Sequence, residues 1–71
     1  MADTTGTKDA TYNLVSVLYH ALQGADLYEK YASDAGSDQD LVRFFREIQQ
    51  QEKQRADRAK QLLATRLQQG G

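Results

Sequence analysis

Seventy-one residues without a Cys, Pro or Trp allow one small domain and exclude disulfide scaffolds, thiolate zinc sites and thiol catalysis. A formal net charge of −1 and a pI of about 5.6 lack the basic footprint that sequence-independent nucleic-acid binding needs. No run of about 18 apolar residues could cross a membrane, and Met1 to Gly6 has neither the basic nor the hydrophobic region of a secretory leader, so a cytoplasmic chain is expected.

Residues 1–7 are small, polar and aperiodic, which predicts a disordered N-terminal tail. From Asp9 the pattern becomes helical. Leu14, Leu18, Ala21, Ala25, Tyr28 and Ala32 recur at alternating spacings of four and three, predicting a first helix over about 9–34. Val15, Val17, Leu22 and Tyr31 widen its apolar arc to roughly 200° on a wheel of about 100° per residue, more than one partner helix covers. The break falls at Ser33 to Asp38. Gly36 suits the left-handed conformation that ends a helix, and Ser37 suits the cap of the next one, with Asp38 and Asp40 in its first turn. A second helix is predicted over about 38–68, followed by a flexible C-terminus at 69–71. No strand pattern occurs, and so short a turn makes the helices antiparallel.

Residues 1–37 carry five acids and two bases, and 38–71 five acids and seven bases. The two segments therefore attract when packed side by side, though each exposed pair is weak. A lone hairpin with one shared seam buries too little apolar surface to offset the entropy of ordering about 60 residues. The sequence therefore predicts an all-α antiparallel helical hairpin that dimerises about a twofold axis into a four-helix bundle, or assembles further. The expected partner is a second copy of the chain; an additional protein partner is left open.

Two charges stand out on the second helix. Taking Ile48 as the reference direction, Leu41, Phe44, Phe45, Ala56, Ala59, Leu62 and Leu63 fall within about 80° of it, and so do Glu52 and Arg55. Three readings compete. Two Glu and two Arg could satisfy one another as a buried polar cluster at the dimer interface. Arg55 could instead snorkel past a thin part of the core while Glu52 stays wet, or Glu52 could be a metal ligand.

The segment Phe44-Phe45-Arg-Glu-Ile-Gln-Gln-Gln-Glu52-Lys-Gln-Arg55-Ala56-Asp-Arg-Ala-Lys-Gln-Leu62-Leu63 resembles the ferritin-like superfamily, whose metal-binding helix reads Glu-x-x-His-Ala. Tyr28 through Asp34-Ala35 to Asp40-Leu41 is similar to the encapsulated ferritins, two-helix chains that dimerise into a four-helix bundle. The resemblance spans most of residues 18–64. It implies a ferritin-like bundle with Glu52 at a metal-ligand position. The family's His is Arg55 here, however, and a ligand Glu expected near Leu22 finds only Leu22 or Gln23. Guanidinium has no lone pair to donate and its fixed charge repels a metal, so the resemblance implies a scaffold whose dimetal site is degenerate.

Counting back from Gly36 puts Tyr19 and His20 near the level of Glu52, which makes His20 a candidate ligand from the other helix, although a lone His at a helix border is more often structural. Asp26 and Glu29 lie on the flank of the first helix, where Glu29 could reach a base on a neighbour. No nucleophile is paired with a base, and no loop cradles phosphate. The expectation is a non-catalytic structural or protein-interaction module, with Glu52 and Arg55 as a charged interface cluster and no cofactor. The alternative is a di-iron protein of iron oxidation or storage, with Glu52, His20 and Asp26 as ligands at the dimer interface.

Overall fold

In the computed structural model, which describes residues 9–69, the chain is an antiparallel hairpin of two helices, α1 (Ala10–Asp34) and α2 (Gln39–Gln68). Both begin on an aspartate. The Asp9 carboxylate accepts from the Tyr12 N–H at 3.0 Å, and the Asp38 carboxylate accepts from the Leu41 N–H at 3.1 Å. Each satisfies a donor that the first helical turn leaves without a partner. The capping residue of α2 is thus Asp38 rather than the expected Ser37. The reason is the turn itself: Gly36 takes the left-handed conformation at φ 62°, and the Asp38 N–H then bonds back to the Ala35 carbonyl at 3.1 Å. That bond holds Asp38, one residue later, in the extended conformation a cap requires. The predicted terminal segments 1–7, 70 and 71 lie outside the described residues.

The seam between the helices is made of small side chains. Ala21, Ala25 and Ala32 of α1 and Ala56 and Ala59 of α2 are buried, while Leu14, Leu18, Tyr28, Phe45, Ile48 and Leu63 are only half-buried. Alanine lets two helices approach closely but removes little apolar area from water. The large residues stand outside. Phe44 is 53% exposed and Leu62 44%, and Val17, Leu27, Tyr31 and Leu41 are exposed as well.

The seam divides the hairpin into two unlike faces. At about 100° per residue from Ala21 and Ala56, Glu29 and Arg46 lie to one side with Lys53 and Lys60. Val17, Gly24 and Tyr31 of α1 lie to the other side, as do Leu41, Ile48, Glu52 and Leu62 of α2. Two apolar clefts open along this second face: Tyr31, Leu41 and Phe45 line one near the turn, and Leu14, Val17 and Leu62 line one near the open end. The outer edge of α1 carries a further exposed set, Tyr12, Val15, Tyr19 and Leu22.

The capping assignment is directly testable. Asp38→Ala should lower unfolding stability by about 1 kcal/mol, whereas Ser37→Ala should leave it within about 0.5 kcal/mol. Urea denaturation of both variants checks this, and equal losses would reject Asp38 as the cap.

Candidate functional site: two polar constellations beside the alanine seam

The charged pair singled out in the sequence lies at the middle of the apolar face. Arg55 donates through Nη1 to Glu52 Oε1, one helical turn apart. The two side chains differ in surroundings: Glu52 is 18% exposed and Arg55 56%. Within one chain the pair is therefore half open, where an ion pair contributes on the order of 0 to 1 kcal/mol. It becomes a desolvated pair only if something covers the apolar face.

Glu52 is held by a notch in α1. A Cβ built on Gly24 would lie 2.8 Å from Glu52 Oε2 and 3.2 Å from its Cδ, so the carboxylate occupies the space a side chain at Gly24 would take. Gly24 is therefore the residue level with Glu52, and not Tyr19 or His20 as equal counting from Gly36 suggested. Counting from the helix ends, Asp34 and Gln39, moves the expected level only to Ala21; the rest of the offset is the Glu52 side chain reaching back toward the N-terminus of α2, which is the turn end. Leu22, near which a ligand Glu was sought, is exposed.

The other expected ligands are not gathered with Glu52 in the chain. His20 is exposed, with Nδ1 3.4 Å from the Ser16 hydroxyl and its ring edge-on to Tyr19 at 5.5 Å. It shares the Glu52 side of α1. Asp26 is exposed and lies about 120° round the helix from His20, turned toward the opposite face. Among the described residues, no group of three or more His, Asp or Glu side chains is placed to hold one metal ion.

A second constellation, on the opposite face, joins the helices through a buried amide. Gln49 is the one buried polar residue among those described. Its Nε2 donates to the Ala25 carbonyl and to Glu29 Oε1, both at 3.0 Å, and its Oε1 accepts from Arg46 Nη1 at 3.0 Å. Arg46 also pairs with Glu29 at 2.9 Å. Every polar atom of the amide is thus satisfied, which a buried amide requires. Glu29 does reach a base on the neighbouring helix, as its flank position suggested; Gln49 was missed. Its signal was available, since it lies only about 20° from Ala56 on the wheel. Hydrogen bonds from Gln49 and then Arg46, with the Arg46 charge, hold the Glu29 carboxyl below its ordinary range.

No protein-family profile, curated protein or solved structure matches the chain. No helix among the described residues is long and apolar enough to cross a membrane.

Two measurements probe these constellations. Gly24→Ala in a helix interior normally gains about 1 kcal/mol. Here that gain should be absent in the native background and appear in Glu52→Ala, a coupling a double-mutant cycle of unfolding free energies would reveal; an identical gain in both backgrounds would remove the notch. For Glu29, a carboxyl lowered by folding gives stability that is present above its unfolded pKa and is lost as pH falls through the folded one. Thermal melts across the acid limb should therefore lose part of their pH dependence in Glu29→Gln, and an unchanged acid limb would contradict this.

Proposed function

We propose that the chain is a non-catalytic structural or protein-interaction module that works as a homodimer. Two hairpins join through their apolar faces in a four-helix bundle of ferritin-like design, with Glu52 and Arg55 of both copies forming a charged cluster where ferritin-like proteins hold two metals. The observation that carries this reading is the mismatch between seam and surface. The buried residues of the hairpin are alanines and one glutamine, while Phe44, Leu41, Leu62, Val17 and Tyr31 remain exposed along one face. Covering each such half-exposed side chain contributes about 1 kcal/mol, and a second copy supplies a matching face without any further component.

The ferritin-like part rests on the residue pattern alone. Arg55 stands at the position of the family's His, and its charge supports the non-metal reading, because a guanidinium bonded to Glu52 Oε1 supplies the positive charge a metal would bring and has no lone pair to offer one. Sedimentation equilibrium of the purified chain should give a dimer or a multiple of it. After incubation with ferrous iron in air, the native protein should elute without bound iron, and Arg55→His should gain it. A folded monomer would reject the assembly, and stoichiometric iron on the native protein would reject the non-metal reading in favour of a di-iron protein.

A further inference from the structure

We infer that the two copies lie antiparallel, the turn of one over the open end of the other, with the twofold axis passing between Glu52 and Arg55 so that each Glu52 faces the partner's Arg55. This rests on the proposed homodimer and specifies its orientation.

Residue spacing along α2 leads to that register. The midpoint of Gln39–Gln68 falls between Lys53 and Gln54, so Glu52 and Arg55 are equidistant from it. The apolar flank of α2 is nearly symmetric about the same point. Leu41, Phe44 and Ile48 stand on one side, and Leu62, followed by Arg66, stands on the other. Antiparallel pairing about this midpoint sets Phe44 within a residue of the partner's Leu62, so that two exposed apolar side chains cover one another. On α1 the midpoint is Leu22, which sets His20 level with the partner's Gly24. The two midpoints lie at nearly one level of the hairpin, since Leu22 is 12 residues before Asp34 and the α2 midpoint 14.5 residues after Gln39, a difference of about 4 Å at 1.5 Å per residue. One axis therefore serves both helices.

Charge selects the same orientation independently. The turn half, residues 23–53, carries seven acids and four bases, a net of −3. The described open half, residues 9–22 and 54–69, carries two acids and four bases, a net of +2 with His20 neutral. The clefts follow suit: Asp34 lines the one near the turn and Arg66 the one near the open end. A parallel dimer stacks −3 on −3 and +2 on +2. It also sets the Glu52 flank of α2 over the partner's α1, away from the partner's Arg55. The antiparallel dimer opposes unlike charge at both ends and gives Arg55, more than half exposed in one chain, a second carboxylate.

The chain has no cysteine, so a spin label at Ser37→Cys, an exposed turn position, reports orientation cleanly. In the antiparallel dimer the two labels should be roughly 45 Å apart, from about 15 residues on each side of the axis at 1.5 Å per residue. A dimer with labels within about 25 Å would overturn the orientation while leaving the dimer standing; a monomer at every concentration would remove both. A mixing experiment tests the central contact. Glu52→Arg alone and Arg55→Glu alone should each weaken dimerisation at least about tenfold, and a 1:1 mixture of the two should recover a heterodimer within about threefold of native affinity. A mixture as weak as its components would overturn the reciprocal pairing.

Discussion

The close approach of two helices along alanine is the constraint on which the rest of this structure depends. With Ala21, Ala25 and Ala32 of α1 and Ala56 and Ala59 of α2 buried along the seam, the backbones come near enough for a glutamine amide on α2 to reach a carbonyl of α1 directly. The same closeness expels the larger side chains. Leucine or phenylalanine at those positions would force the helices apart, and the Ala25 carbonyl would then be out of reach of Gln49. What the seam gains in polar contact it loses in apolar area, so the hairpin keeps one hydrophobic flank exposed.

The two polar constellations meet this closeness in different ways. Gln49 fills the gap with hydrogen bonds and leaves no polar atom of its own without a partner, consistent with a finished, structural contact within one chain. Glu52 fills the gap with its carboxylate against Gly24, where the alternative to space is a Cβ. Its partner Arg55 is left mostly in water. A carboxylate pressed into a notch and held by a guanidinium that is largely solvated is an unfinished contact, and it lies in the middle of the apolar flank rather than at an edge.

The hairpin was legible in the sequence because its signals are local. Gly36 ends α1, aspartates start both helices, and the absence of Pro lets each run on, so the boundaries fall within a residue or two of expectation. The orientation of α2 was less legible. Leu41, Phe44, Ile48 and Leu62 are bulky apolar residues on one flank of α2, and they pull the apparent centre of the stripe to Ile48. The helix it packs on meets it instead around Ala56, about 80° away. That rotation hid Gln49, which lies about 100° from Ile48 and outside the stripe, and made Glu52 and Arg55 look like core. Hydrophobic periodicity sums every surface a helix buries or could bury, and it does not separate an intrachain seam from an exposed flank. The level of Glu52 was misread because counting places backbone positions, whereas the glutamate side chain reaches back toward the N-terminus of its helix and so meets Gly24.

In the proposed dimer, Arg55 is the residue that separates a metal-binding bundle from one held by charge. A neutral imidazole in its place would present a lone pair one turn from Glu52; the guanidinium presents only donors and a permanent positive charge. Yet Glu52 in its notch needs some cation once its surroundings dry, since a carboxylate without one is among the most expensive groups to bury. A metal would supply that charge only with further ligands, which His20 and Asp26 do not provide together from one chain. Arginine supplies it from the same helix and keeps donors to spare for a second carboxylate. An apolar flank alone would associate in many registers with similar energy. In the proposed dimer, a charge pair at the centre of the flank penalises every register that leaves either charge dry and alone, so its contribution there is to the choice of partner geometry more than to the strength of the contact.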